Sequence, residues 1–393
     1  MPISFLKRNL VIVFAGLMAA GCHSIQYSSQ ETWPDNRDFR KPATDALALR
    51  WTKPLVPALG GAYKPVQGAI PLLSPLDNRV YIGTSTGHFW ALNGGGGPTY
   101  QYNALGAIES EAAMDRATDQ VYLGTEDGVL HALRASDGKL RWRTKVRGPV
   151  RQAPVLTKTL VLVVSDDDEL TALDRRTGKA AWSYHRDPPE GFTIAGHAGL
   201  ALAKGMVLTG FSDGVVVALN AQSGKLIWER DTAIEIEQAS DTPQRFVDVD
   251  TTPVVVEDVV YVASFSGGLF ELSLSAGGVD WHRGDWSGVT AISATQDTLV
   301  MSSADLGVLC VDRESRKLRW RRQMQRGAPS RPSIVNAKVI VGESRGALLA
   351  LALDDGRELS RIASLAGFAG GMSVADGRGY VLSNSGELFA FAL

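Results

Sequence analysis

Short runs in which apolar and polar residues alternate recur along most of the chain, and pairs of runs are joined by glycine turns. Residues 121–133 form one pair around Asp127-Gly128, and residues 207–219 form another around Asp213-Gly214. Alternation with a period of two is typical of β-strands, and Asp-Gly favours the tight turn of a hairpin. The pattern therefore predicts an all-β chain built from consecutive hairpins.

The hairpin pattern repeats about every 40 residues, which is the length of one four-stranded propeller blade. No unit shows the helical periodicity that an α-solenoid, the alternative repeat architecture, requires. Each unit has an Ala-Leu position, and that position or its substitute falls at Ala91, Ala132, Ala172, Ala218, Glu271, Cys310, Ala350 and Ala390. We therefore predict a single eight-bladed β-propeller of four-stranded antiparallel blades over residues 47–393.

Aromatic residues and the end of the last unit predict how the blades pack and close. The last unit stops at Leu393, after its third strand, so the missing strand is predicted at residues 47–51, with Leu47, Leu49 and Trp51 on one face. This N-terminal strand would close the ring without an open edge. In five units a tryptophan follows the Ala-Leu position by ten residues and is expected to fill the wedge between blades: Trp142, Trp182, Trp228, Trp281 and Trp320.

Three units depart from the pattern of turns and tryptophans. Asp168 replaces the first turn glycine of the third unit, and Arg316 replaces the second turn glycine of the sixth. Ser360 stands where the seventh unit should have its tryptophan. The repeat is therefore imperfect at these three positions.

Two units are longer than the period, by about 6 residues after Trp182 and about 13 after Trp228. Both insertions join the outer strand of one blade to the inner strand of the next, so we expect them to form one surface. Apolar groups rimmed by acids on long loops favour a protein-binding patch. The alternative is drift in loop length on a tolerant surface. The insertions contain Phe192, Ile194, Ile234, Glu235, Ile236, Glu237, Phe246, Asp248 and Asp250.

The N-terminus is typical of a lipoprotein signal. Two basic residues precede an apolar run at residues 10–20, which is shorter than the about 20 residues that span a bilayer. The run ends in Leu-Met-Ala-Ala-Gly-Cys, which resembles the bacterial signal whose cleavage leaves Cys22 for lipid attachment. We predict a signal peptide at residues 1–21, a lipidated Cys22 carrying palmitate, and a polar tether at residues 22–46.

Composition narrows the function classes further. The chain has 393 residues, 45% of them hydrophobic, so it can bury a full core, and its formal charge of -2 provides no basic surface for nucleic acid. It has two cysteines, which excludes a disulfide framework and a four-cysteine zinc site. With Cys22 lipidated, Cys310 is expected to act as a small buried apolar group.

Several motifs suggest chemistry that their context does not support. Three hairpins match the hydrolase motif G-x-S-x-G, but another strand follows each match where the hydrolase fold requires a helix. The acidic run Asp166–Glu169 lacks the spaced ligands of a calcium loop and is interpreted as a solvated hairpin turn. The six histidines are scattered, with no pair at metal-ligand spacing. We therefore predict no catalytic residues, no metal and no cofactor.

The repeat, in its form Ala172-Leu-Asp-Arg-Arg-Thr-Gly-Lys-Ala-Ala-Trp182, resembles the pyrroloquinoline-quinone-type propeller. Within that class, Asp248-Val-Asp-Thr-Thr-Pro-Val-Val-Val256 is similar to the BamB family, lipoprotein subunits of the outer-membrane β-barrel assembly machinery. The resemblance implies a non-catalytic scaffold that is anchored in the outer membrane and faces the periplasm. It also implies binding to the periplasmic domains of a BamA-type protein and assistance to unfolded outer-membrane proteins.

The same resemblance implies which residues bind the partner. One family contact loop contains the Asp-Val-Asp segment, matched by Asp248 and Asp250, and the other carries Leu-x-Leu-Arg, to which Phe192-Thr-Ile194-Ala195 corresponds. Ala195 lacks the guanidinium of the family arginine. The predicted partner-binding residues are Phe192, Ile194, Phe246, Asp248 and Asp250. Two alternatives stay open: a quinoprotein-like enzyme, and a propeller lipoprotein that binds an envelope ligand such as a polysaccharide.

Overall fold

The computed structural model describes residues 46–57, 66–74, 77–188, 197–234 and 247–393. The described residues form 32 strands in eight four-stranded sheets, and every strand pair is antiparallel. This arrangement confirms the predicted all-β, eight-bladed propeller. The predicted signal peptide, Cys22 and the tether up to residue 45 lie outside the described residues. Within the described part of the chain, we find no helix with the length and apolarity needed to cross a bilayer.

Each blade runs from an inner strand to an outer strand in chain order. Blades 1 to 4 consist of β2(Leu72–Ser74), β3(Arg79–Gly83), β4(His88–Asn93) and β5(Pro98–Asn103); β6(Ala113–Asp115), β7(Gln120–Gly124), β8(Val129–Arg134) and β9(Leu140–Lys145); β10(Val155–Leu156), β11(Leu160–Ser165), β12(Glu169–Asp174) and β13(Ala180–His185); and β14(Ala201–Ala203), β15(Met206–Gly210), β16(Val215–Asn220) and β17(Leu226–Asp231).

Blades 5 to 7 follow the same order, and the last blade takes its outer strand from the start of the chain. They consist of β18(Val254–Val256), β19(Val259–Ser264), β20(Gly268–Ser273) and β21(Val279–Arg283); β22(Val289–Ala294), β23(Thr298–Ser303), β24(Gly307–Asp312) and β25(Leu318–Arg322); β26(Ser333–Val335), β27(Lys338–Gly342), β28(Leu348–Ala352) and β29(Glu358–Ile362); and, in blade 8, β30(Ser373–Ala375), β31(Arg378–Leu382), β32(Glu387–Ala392) and β1(Ala48–Pro54).

The closing strand β1 pairs with β32 as predicted, although one detail differs. The register shifts between Leu49 and Trp51, so the regular alternation is interrupted there. Leu47 is buried, whereas Leu49 is 48% exposed and does not share the inward face. A bulge adds one residue to a strand and turns the following side chains to the other face, which explains the error. Trp51 nevertheless lies opposite Ala390, where a blade tryptophan is expected.

The tryptophans join neighbouring blades, as the spacing predicts. Trp142 of blade 2 lies across from Ala132, and its Nε1 donates to the Arg175 carbonyl of blade 3 at 2.9 Å. Its ring packs on Gly178, where an added Cβ would lie only 2.5 Å from the nearest ring atom. Gly178 also has φ +70, so the turn requires glycine for both reasons. Equivalent bonds run from Trp51 to Gly94, Trp228 to Leu274 and Trp320 to Leu353.

At the contact between blades 5 and 6, a charged pair stands in place of the usual turn glycine and repeat alanine. Arg316 adopts φ 58 at the turn position, and its guanidinium lies 5.6 Å from the centroid of the Trp281 ring. The same guanidinium contacts Glu271 at 2.8 Å. Glu271 occupies the position of the repeat alanine and is 4% exposed. Two departures from the repeat therefore compensate each other.

The blade 7 position without a tryptophan lies next to an apolar cluster that includes residues close to the closing strand. Ser360 lies opposite Ala350. Ala350 belongs to a buried cluster with Leu47 and Phe391, against which Leu393 also packs. Residues next to the closing strand therefore supply apolar contacts where a blade tryptophan is missing. Cys310 is buried as predicted, and burial raises its pKa to about 12, which keeps the thiol neutral.

Candidate partner-binding site

The two long connections start and end on the face of the propeller that carries the turns between second and third strands. Thr232, just after β17, donates its backbone N–H to Gly214, which lies in such a turn. The first connection leaves β13 and returns at His197, and the second leaves β17 and returns at Val247. Phe192, Ile194 and Phe246 lie outside the described residues. Ile234, at the start of the second connection, is 50% exposed.

Asp248 and Asp250 follow the second connection, but they do not form an exposed rim. Asp248 is 2% exposed. Asp250 is half-buried, and its Oδ2 has no hydrogen-bond partner and is shielded from solvent. The prediction that both acids stand at the edge of a surface patch is therefore wrong for Asp248. The neighbouring Val249 and Thr251, which lead into blade 5, are buried as well.

Blade 3 contributes a second buried carboxylate at the place where its turn lacks glycine. Asp168 adopts φ 54 and is 1% exposed. Its Oδ1 accepts the Ser212 backbone N–H at 3.2 Å and lies 3.0 Å from Nε2 of His197. Ser212 Oγ donates to its other oxygen. Burial opposes ionisation of Asp168, but the hydrogen bonds from His197 and Ser212 outweigh it and lower its pKa.

His197 is held between two acceptors at the end of the first connection. Its Nδ1 donates to the Ala198 carbonyl at 2.7 Å, while Nε2 faces Asp168. The ring is 4% exposed and packs edge-on against Phe211 at 5.3 Å between centroids. Both ring nitrogens therefore lie close to an oxygen atom.

Asp166 extends the buried group of charges toward blade 2. It pairs with Arg151, and Arg151 also contacts Glu126 at 2.9 Å. Burial raises the pKa of Asp166, and its Oδ1 is buried without a hydrogen bond. The interpretation of residues 166–169 as a solvated turn is therefore wrong for Asp166 and Asp168, whose carboxyl groups point into the molecule.

The pKa of Asp250 is strongly shifted by these neighbours. Burial, followed by repulsion from Asp248, raises the pKa of Asp250 to about 7, while His197 acts in the opposite direction. Asp168 and Asp166 add further repulsion. We refer to Asp166, Asp168, His197, Asp248 and Asp250 as the loop-base cluster.

The quinoprotein alternative requires a calcium ion and a quinone, and the described residues do not fit them. No group of three His, Cys, Asp or Glu side chains within the described residues has the geometry of a metal site. Two acids of the loop-base cluster are paired with protein groups, Asp168 with His197 and Ser212 and Asp166 with Arg151.

Comparison with known protein families shows which family this chain belongs to. The family model described as "Outer membrane protein assembly factor BamB" matches residues 104–322 and 307–392. The chain belongs to the BamB family. The BamB relative from Salmonella typhimurium is 29% identical over 328 residues, which cover 80% of this chain and 82% of the relative.

Solved structures agree with the BamB assignment at the level of fold. BamB from Moraxella catarrhalis superposes with a TM-score of 0.74 at 22% identity, covering 88% of this chain and all of that chain. A quinohemoprotein alcohol dehydrogenase from Pseudomonas putida HK5 reaches a TM-score of 0.69 at 14% identity, covering 90% of this chain and 78% of that one. Since both identities are low, these similarities concern the propeller alone.

Sequence reasoning missed His197, Asp168 and Arg151 as parts of the site. Asp168 did stand out, because it replaces a turn glycine. His197 carried no comparable signal, since its partner lies in another blade. Only the packing of blades 3, 4 and 5 brings these residues to the described ends of the two long connections.

Proposed function

We propose that this chain is an outer-membrane protein assembly factor, acting as a non-catalytic scaffold in the bacterial envelope. The observation that carries the proposal is the BamB family match over residues 104–322 and 307–392. The names of the curated relatives point the same way, since each is an outer membrane protein assembly factor. The described residues offer no metal cluster that would favour an enzyme instead.

The surface around the two long connections is proposed to bind the periplasmic domains of a BamA-type protein. Phe192, Ile194 and Phe246 are the proposed contacts on the connections themselves. Asp248 and Asp250 are proposed to hold the base of the second connection in position. Their burial supports a role in holding that connection more than one in direct contact with the partner. Unfolded outer-membrane proteins are a further proposed client.

The N-terminal residues are proposed to anchor the scaffold. Residues 1–21 would be removed, and lipid on Cys22 would hold the chain at the inner leaflet of the outer membrane. Residues 22–46 would then link the anchor to the propeller. Replacing Cys22 by serine should move the protein from the membrane fraction to the soluble periplasmic fraction, and an unchanged distribution would contradict the anchor.

The partner surface can be tested with two side chains of the same blade. Ile234, at the start of the second connection, is 50% exposed, and Ile227, on the outer strand β17, is 46% exposed. A photo-crosslinking residue at 234 should capture the BamA-type protein from intact envelopes, whereas the same residue at 227 should not. Equal capture from both positions, or none from 234, would refute the assignment of this surface.

The proposed scaffold function is tested by purifying the protein from envelopes without crosslinking. The protein should co-purify with subunits of the barrel-assembly machinery. Reduction of a redox dye by the purified protein in the presence of calcium, pyrroloquinoline quinone and an alcohol would instead show a quinoprotein activity. That result would overturn the non-catalytic assignment.

A further inference from the structure

The described part of the chain enters the propeller on the face opposite the two long connections. The closing strand β1 begins where β32 ends. Leu393, just after β32, donates its backbone N–H to Gly377, in the turn between the first two strands of blade 8. Lys338 of blade 7 donates its Nζ to the Ala46 carbonyl at 3.4 Å. We call this face, which carries the turns between first and second and between third and fourth strands, the entry face.

Side-chain contacts between neighbouring blades follow the entry face around the ring. They join blade 8 to blade 1, and then each following blade as far as blade 5, through these pairs: Arg378 with Asn78, Arg79 with Ser136, Asp115 with Arg175, Thr159 with Gln222, and Lys204 with Asp258. The turns of blades 2 to 4 therefore lie on the same face as residue 46, on the far side of the ring from blades 7 and 8.

Charge is distributed unevenly over the entry face. The turns of blades 2 to 4 contain eight basic and two acidic residues, whereas the turns of blades 5 to 8 contain four basic and seven acidic residues. The first set comprises residues 116–119, 135–139, 157–159, 175–179, 204–205 and 221–225, and the second comprises residues 257–258, 274–278, 295–297, 313–317, 336–337, 353–357 and 376–377. The formal charge of -2 for the whole chain therefore conceals a basic region on one side of this face.

Four exposed cations of that region have no counter-ion within the described residues. None of the ion pairs formed between described residues includes them, whereas Arg175 nearby is paired with Asp115. Because these four side chains are exposed to solvent, their charges can attract an anionic surface. We call them the basic patch: Arg116, Lys158, Lys179 and Lys225.

We propose that the basic patch docks on the anionic phospholipid surface of the membrane that holds the anchor. Each basic residue near such a surface strengthens binding by about fivefold. Residue 46 and the basic patch lie on opposite sides of one face, so together they turn the entry face toward the lipid. The two long connections then point away from the membrane, toward the periplasm.

The docking orients a chain that the lipid on Cys22 holds. Salt screens exposed charges beyond about 8 Å at physiological ionic strength, so the basic patch alone does not retain the chain at the membrane. A lipid chain and a basic patch act together as two signals. The identity of the membrane rests on the proposed anchor, whereas the attraction of the basic patch to anionic lipid is a property of the chain alone.

The first test measures binding to vesicles without the contribution of the anchor. The full chain carrying Cys22→Ser should bind vesicles that contain phosphatidylglycerol at low ionic strength and should bind pure phosphatidylcholine vesicles at least about tenfold more weakly. Adding Lys158→Gln and Lys179→Gln should weaken binding to phosphatidylglycerol vesicles by about twentyfold. Equal binding to the two kinds of vesicle, or an unchanged affinity of this variant, would overturn the docking.

A matched control removes the same charge from the opposite face. Arg326 lies on the connection between blades 6 and 7, Arg345 lies in a turn between second and third strands, and both are exposed. Arg326→Gln with Arg345→Gln should change the affinity for phosphatidylglycerol vesicles by less than about threefold. A loss equal to that of the lysine variant would assign the effect to net charge and would overturn the basic patch.

The second test measures orientation of the lipidated chain on phosphatidylglycerol vesicles. A fluorescent label on Gln222→Cys, exposed on the entry face, should be quenched by spin-labelled lipid more than the same label on Leu365→Cys, which is fully exposed on the opposite face. The buried Cys310 does not compete for the label. Lys158→Gln with Lys179→Gln should remove the difference. Equal quenching at both positions in the otherwise native chain would overturn the proposed orientation.

The outcomes separate the docking from the proposed anchor. If Cys22→Ser leaves the protein in the membrane fraction of cells, the anchor is refuted, while vesicle binding still decides whether the basic patch recognises anionic lipid. If Cys22→Ser releases the protein but the purified chain does not bind phosphatidylglycerol vesicles, the anchor stands and the docking is overturned.

Discussion

Two of the buried groups of charged side chains among the described residues differ in how well their charges are paired. Between blades 6 and 7, Arg322 contacts Glu358 at 2.5 Å, and Arg361 contacts Glu358 at 2.8 Å and Glu343 at 3.4 Å. Glu343 also accepts the backbone N–H groups of Gln325 and Ala347. In the loop-base cluster, by contrast, the described contacts pair Asp166 with Arg151 and Asp168 with His197, whereas Oδ2 of Asp250 is buried without a hydrogen bond.

The difference in balance indicates a difference in role. Where cations and carboxylates match, as between blades 6 and 7, burial is compensated and the group acts as a structural link. Where a buried carboxyl oxygen has no hydrogen bond, a proton is the simplest compensation, so the state of the group depends on pH. The first group therefore resists changes of conditions, and the second responds to them at the described ends of the loops where we place function.

The largest effect is expected from breaking the balanced group. Arg322→Ala leaves the carboxylate of Glu358, which is 5% exposed, without its closest cation. The free energy of unfolding should fall by about 3–5 kcal/mol, measured by urea denaturation. Arg357→Ala removes an exposed pair with Asp355 and should change stability by less than about 0.5 kcal/mol. Similar losses in the two variants would contradict a structural role for burial here.

In the loop-base cluster, replacing a charged side chain is expected to increase the stability of the folded chain. Because the folded-state pKa of Asp250 is about 7 and its unfolded value is about 3.9, the native chain loses stability as the pH rises through this interval. Asp250→Asn should therefore be more stable than the native chain by about 2–4 kcal/mol at pH 8. The difference should vanish as the pH approaches 4, which thermal unfolding across this range would measure. A destabilised variant at pH 8 would show that the charge is favourable.

A smaller loss of stability is expected at Glu271 and Arg316, the charged pair that stands where the repeat has alanine and glycine. Arg316→Gly restores the turn glycine but leaves the buried Glu271 unpaired, at a cost of about 1–3 kcal/mol. The double variant Glu271→Ala, Arg316→Gly restores both repeat residues and should recover most of that loss. A double-mutant cycle in urea measures the coupling. Additive effects would mean that the two departures do not compensate each other.

The smallest effect is expected from a charge that stays near solvent. Arg186 contacts Asp213 at 2.7 Å and Glu229 at 3.2 Å, with about a quarter of its side chain exposed. Burial opposes its charge, but the hydrogen bonds to Asp213 and Tyr184 and the attraction of both groups together outweigh burial and raise the pKa of Arg186. Arg186→Ala should cost about 0.5–1 kcal/mol in urea denaturation. A loss as large as that of Arg322→Ala would show that balance, and not burial, controls the energy.

The fold could be predicted because each blade repeats the same local requirements. Turn glycines such as Gly178, the tryptophan at Trp142 and the alternation of apolar residues are local signals, and they recur in phase. The outer strand at the start of the chain was also predictable, since the last unit is one strand short. The bulge between Leu49 and Trp51 was not, because it depends on the match with β32.

The candidate site was only partly predictable. Loop length identified the two connections, and the Asp-Val-Asp segment identified Asp248 and Asp250. The burial of Asp248, and of Asp166 and Asp168 in a turn that looked solvated, depends on side chains from three blades. A charged residue on a turn is exposed by default, and only tertiary contacts reverse that expectation.

By itself, the sequence determined the number of blades, the strand that closes the ring and the two connections that exceed the period, because these follow from spacing along the chain. The tertiary structure alone decided which acids are buried, where Arg316 and Glu271 compensate each other, and that His197 lies against Asp168. The physical reason is that hydrogen bonds and charge interactions act through space over a few ångströms. Residues far apart in the chain meet at such distances only when the blades are packed side by side.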